Sequence, residues 1–72
     1  MTHPMLWPYQ VTEYDLDEMK ETGLIEFVHV ECAHDAAEQV QAQKGGHVGK
    51  SGLSVISGAK IYAIKPHLWP PS

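Results

Sequence analysis

Cys32 is the only cysteine in a chain of 72 residues, so no disulfide within the chain can staple the fold. A chain near this length buries only about 60% of the surface its unfolded form exposes. Scaffolds this small commonly add a disulfide, a metal or a partner subunit. With the first excluded, a metal, self-association and a larger partner remain. The lone cysteine also predicts a reducing, cytoplasmic setting, because secreted domains of this size are usually cysteine-dense. Residues 1–9 have no basic start and no long apolar run, which predicts no signal peptide. No stretch approaches the ~20 apolar residues of a membrane span.

The chain contains no arginine and no asparagine, and its net charge is -4. Arginine is the usual tool for planar recognition of phosphate and for base contacts, so its absence argues against nucleic acid as the ligand. The charge is also unevenly spread. All nine acids lie within residues 1–38, opposed only by Lys20, whereas residues 39–72 carry Lys44, Lys50, Lys60 and Lys65 and no acid. Such halves attract one another across a fold, or they leave an acidic surface for a basic partner.

Residues 1–8 hold Pro4 and Pro8 and are expected to be extended, as is the tail from Pro66 to Ser72. Tyr9 to Tyr14 alternates and reads as a strand, with Tyr9, Val11 and Glu13 on one face. The acidic run from Asp15 to Gly23 predicts a turn of about eight residues. Leu24 to Cys32 is the clearest strand, with Val28, Val30 and Cys32 assigned to the core face and Phe27, His29 and Glu31 to the other. Asp35 is placed to cap a helix, with Glu38 at capping-box spacing. Ala33, Ala36, Ala37 and Val40 give that helix a narrow apolar stripe, and Gly45-Gly46 ends it. Gly45 to Gly52 reads as a glycine-rich loop. Leu53 to Ile56 and Lys60 to Lys65 read as strands, with Gly58 marking either a tight hairpin or a bulge. The expected fold is α+β over residues 1–72, as one domain. It is a small antiparallel sheet of three to four strands with one short helix on one face, ββαβ or ββαββ.

Sites with chemistry are scarce. Gly49-Lys50-Ser51 resembles the end of a phosphate-binding loop, but the first glycine of that pattern falls on Lys44, and a helix precedes where a strand is needed. His29-Val30-Glu31 resembles the zinc motif of nucleobase deaminases, which needs two further cysteines that this chain lacks. Counting a calcium loop from Asp15 puts Lys20 where its glycine belongs. His29, Glu31 and His34, with Cys32 between them, remain as candidate metal ligands, at most three converging. Cys32 beside a histidine supplies the residue types for nucleophilic catalysis, but on a core face a thiol is inert. These observations predict no enzyme and no cofactor.

Leu6-Trp7-Pro8 recurs as Leu68-Trp69-Pro70, and both tryptophans of the chain lie in this duplication. Tryptophan either fills an undersized core or anchors an interface. The order of elements, with its Val28-x-Val30-x-Cys32-Ala33-His34-Asp35-Ala36-Ala37 run, resembles that of small phage and mobile-element proteins, some anti-CRISPR proteins among them. That resemblance implies an acidic, non-enzymatic binder that acts by direct contact with a host protein. The resemblance assigns no residue; by their own chemistry Trp7, Tyr14, Phe27 and Trp69 would anchor such a contact, and Asp15, Asp17 and Glu18 would steer a basic partner. The alternatives are a metal-binding module on His29, Glu31 and His34, a structural homodimer, and a weak nucleic-acid binder using the four C-terminal lysines.

Overall fold

The computed structural model describes residues 6–67. Within them the order is β1 (Trp7–Asp15), β2 (Lys20–Val30), α1 (Ala33–Lys44), β3 (His47–Val48), β4 (Ser54–Ser57) and β5 (Lys60–Pro66). The strands form one antiparallel sheet in the order β2-β1-β5-β4-β3. The sheet therefore has five strands, not three to four. The additional strand is β3, two residues inside the glycine-rich stretch, too short to show any alternation.

The β1–β2 turn is also shorter than the sequence predicts. Asp15 Oδ1 accepts the backbone N–H of Asp17 at 2.8 Å and of Glu18 at 3.1 Å, which folds the chain back at once. Met19 takes the left-handed conformation, φ 56°, and its N–H reaches Asp15 O at 2.7 Å. Only residues 16–19 lie between the strands. Gly23, φ 98°, does not end the turn but sits within β2. There the register passes from Thr12↔Ile25 to Tyr14↔Glu21, so a bulge of three β2 residues faces Glu13 alone. Gly58, φ 60°, opens a tight two-residue hairpin between Ser57 and Lys60.

Alternation decides what the helix covers. Tyr9 and Val11 of β1, Val28 of β2, Val55 of β4, and Tyr62 and Ile64 of β5 turn to one side and are buried. Ala36, Ala37 and Val40 of α1 close over them, with Trp7, Val30, Ala33 and Val48 packed at the margin. The small alanines let the helix lie close to the sheet. Cys32 does not join this core. The strand ends at Val30, and Cys32 takes the N-cap position of α1, exposed and extended, φ −155°. The helix thus starts at Ala33, which already packs on the core, and Asp35 falls in its first turn, where its charge still complements the helix dipole. Gly45 ends α1 as expected, at φ 79°, its N–H on Gln41 O at 2.8 Å. Trp7 and Pro8 belong to β1 and Pro66 to β5. Trp69, with the rest of 68–72, lies outside the described residues, as do residues 1–5.

Candidate functional site

The helix covers one side of the sheet, and the other side carries apolar as well as polar side chains. Cross-strand register sets Gln10 beside Phe27 and Lys65, Thr12 beside Ile25 and Ala63, and Tyr14 beside Glu21 and Ile61. Ile56 stands next to Ile61, with His47 beyond it. Phe27 and Ile25 are each 49% exposed, and Leu53 and Leu16 add exposed apolar surface near the face. An antiparallel sheet with one solvated face normally alternates apolar-in and polar-out. Here Ile25, Phe27, Ile56, Ile61 and Ala63 stand on the uncovered side among the polar Gln10, Thr12 and Tyr14, and its formal charges, Glu21 and Lys65, lie towards the ends of their strands. The His67 ring packs on Phe27 with centroids 4.6 Å apart, tilted 60°, and holds the phenyl ring in place. Gln10 Nε2 donates to Thr12 Oγ1 at 3.1 Å, which satisfies the one buried hydroxyl on this side.

The anchor and steering residues expected from sequence divide between fold and surface. Tyr14 and Phe27 lie on the uncovered face. Trp7 points to the helix side and packs against the core. Asp15 is committed to the turn and to Lys60, whose Nζ lies 2.8 Å from Asp15 Oδ2. Asp17 and Glu18 remain exposed at the hairpin tip, beside Leu16 and Met19. Glu18 pairs with the exposed Lys20, at 3.3 Å. Ile25 shares the face that alternation gives to Phe27, whereas Ile56 and Ile61 stand in runs that are apolar on both sides, so the sequence alone does not place them at the surface.

The candidate metal ligands are not brought together. His34 Nε2 lies 2.8 Å from Glu38 Oε1 on the outer surface of α1. His29 stands opposite Pro8 on the uncovered face. Among the described residues no group of three or more His, Cys, Asp or Glu side chains is placed to hold a metal ion. No helix there is long and apolar enough to cross a membrane.

On the helix side, beyond the end of α1, a polar network joins the two oppositely charged halves of the chain. Tyr62 Oη donates to Glu13 Oε2 at 2.8 Å and Thr22 Oγ1 to Glu13 Oε1 at 2.6 Å, which ties the bulge of β2 to β5. Lys44 Nζ reaches Glu26 Oε1 at 2.9 Å and stands 5.1 Å from the Tyr62 ring centroid. The Thr22 and Tyr62 hydroxyls hold the Glu13 carboxyl below its usual range, and Lys60 with the turn N–H groups does the same for Asp15. Hydrogen bonds to Glu26 and Asp15 raise Lys44 and Lys60, respectively, while burial raises Tyr62.

Lowered carboxyls contribute stability that is present above the ordinary carboxylate range and lost as pH falls through and below it. Raised lysines and tyrosine contribute stability that is lost as pH rises past their ordinary values near 10. Urea unfolding should therefore show a plateau around neutral pH with losses on both limbs. The double variant Glu13→Gln, Asp15→Asn should flatten the acid limb and leave the alkaline one. An acid limb as steep in the variant as in the parent would remove these two carboxylates as its cause.

Comparison with family models, curated proteins and solved structures returned no match.

Proposed function

We propose that this chain is a small non-enzymatic protein-binding module, of the inhibitor or regulator kind that acts by direct contact with a host protein. One observation carries the reading: Phe27 and Ile25, each 49% exposed, stand two residues apart on the uncovered side of the sheet, with Ile61 and Ile56 further across the same side. Interface centres are depleted of charge and built around aromatic side chains. Phe27 and Tyr14 supply the aromatic anchors, with Ile25 and Ile61 around them. Asp17 and Glu18 at the hairpin tip give the rim a negative field that favours a basic partner and a salt-sensitive association rate. Trp7 and Asp15 serve the fold.

Photo-crosslinking in the native host tests this. A crosslinker at Tyr14 should capture the same protein as one at Ile61, and one at Glu38, on the exposed side of α1, should not. Phe27→Ala should weaken binding of that purified protein by ~30-fold, the scale of a central aromatic anchor. Equal capture from all three positions, or unchanged affinity in Phe27→Ala, would refute the assignment of this face.

A further inference from the structure

We infer that two copies of this chain pair through their β2 strands, antiparallel about a two-fold axis perpendicular to the sheet, with Phe27 opposite Phe27 of the second copy. Among the described residues β2 is the longest strand, and it lies at the edge of the sheet with β1 as its only neighbour. Its outer side presents a row of backbone N–H and C=O groups, the kind of edge that recruits a further strand. Proteins blunt such edges with proline, charge, bulges or covering elements. The bulge at residues 22–24 does this for the first half of β2, but from Ile25 to Val30 the ladder is regular and contains no proline. Glu26, the charge in that stretch, is already paired with Lys44 of its own chain at 2.9 Å. Leu24, Ile25 and Phe27 are all exposed along it.

The opposite edge decides the stoichiometry. It is β3, two residues long, too short to accept a strand. With one competent edge among the described residues, strand pairing joins only like with like, so the assembly closes at two and does not run on into a fibre.

Charge selects the register. Partners across an antiparallel pair share a face, so the pairing must be centred on a residue of β2. Centring on Glu26 opposes two carboxylates. Centring on Val28 sets Ile25 opposite Glu31, beyond the end of the strand. Centring on Phe27 pairs Ile25 with His29, Glu26 with Val28, and Leu24 with Val30. It opposes no like charges and adds a cross-strand aromatic pair. The two uncovered faces then become one continuous face of ten strands, with both helices on the other side. The pairing does not depend on the identity of any further partner.

Sedimentation velocity on the purified chain tests the pairing. The mass should rise with concentration from 8.0 kDa to twice that, with a midpoint on the order of 10 µM, as suits a small interface. Phe27→Lys opposes two ammonium groups at the centre and should weaken the dimer at least 30-fold with an unchanged circular dichroism spectrum. Should that variant fail to fold, a second reads the register directly. In a Cys32→Ser background, Phe27→Cys should form a covalent dimer on mild oxidation at least tenfold faster than Glu38→Cys on the helix. A chain that stays at 8.0 kDa up to ~300 µM overturns the pairing. Equal oxidation rates at the two positions overturn the register. Either result leaves the crosslinking test of the uncovered face to stand or fall separately.

Discussion

Gly46→Ala is expected to abolish folding or to lower the melting temperature by ~12–24 °C. A Cβ at this position would lie 2.0 Å from the Ile56 carbonyl oxygen, 2.6 Å from its carbon and 2.8 Å from Ser57 Cβ. The first two are backbone atoms of β4 and cannot swing aside. The end of α1 is fastened at the same place: Ser57 Oγ donates to Lys44 O at 2.7 Å, and Gln41 Nε2 to Gly46 O at 3.2 Å. To admit a methyl group, the helix end must lift from β4 and break both bonds. Overpacking with backbone displacement costs ~3 kcal/mol or more, and each kcal/mol moves the midpoint of a domain this size by ~4–8 °C. The neighbouring glycines calibrate the claim. Gly49→Ala meets Ser54 Oγ at 2.5 Å, a side-chain atom that can rotate, and should cost less. Gly45→Ala meets nothing within 4 Å and is opposed only by its left-handed backbone, φ 79°. Thermal melts of the three variants should rank Gly46 as the most damaging, and a mild effect there would mean that α1 does not seat on β4 this closely.

Gly45 and Gly46 read alike in the sequence, as a helix stop, yet they act through different physics: the first through its dihedral angles and the second through space. The same limit runs through the rest of the fold. Period-two alternation marks β1, β2, β4 and β5 and separates Tyr9, Val11 and Val28 from Tyr14 and Phe27, because Gln10 and Thr12 on β1, and His29 and Glu31 following Phe27 at alternate positions, set one side apart. It could not sort β4 and β5. Val55-Ile56 and Ile61-Tyr62-Ala63-Ile64 carry apolar groups on both sides, so only the docking of α1 shows which side is core. Ile56 and Ile61 therefore came to light as surface residues through packing alone. The place of β2 at the edge is likewise a property of strand order, which no local pattern encodes. The turn is shorter than expected because Gly23, the residue that favours the left-handed region, serves a bulge, while Met19 takes that conformation in the turn, where the Asp15 side chain anchors it.

A pair of identical substitutions on opposite sides of the sheet should separate the core from the binding face. Val55→Asp is expected to unfold the protein at neutral pH, and Phe27→Asp to leave it folded. Val55 is 0% exposed, between β3 and β5 and under α1. An isolated carboxylate there has its pKa raised by about three units or more, equivalent to ~4 kcal/mol against the charged form. Loss of the valine methyls adds ~1–2 kcal/mol. A chain of 72 residues has a total stability of roughly 4–11 kcal/mol, so the sum consumes from about half to all of it. Phe27 is 49% exposed on the uncovered side, so an aspartate there stays hydrated. What it forfeits is the ring contact with His67 and part of the shared apolar surface, ~1–2 kcal/mol. Circular dichroism and urea unfolding should thus show Val55→Asp without a cooperative transition and Phe27→Asp with one, shifted only modestly. The folded Phe27→Asp variant should also lose the crosslinked partner, where the carboxylate is buried at the centre of the contact, and the dimer, where it faces an identical carboxylate across the two strands. If instead Val55→Asp folds cooperatively, or Phe27→Asp fails to fold, the helix covers the other side of the sheet, and the proposed binding face is core.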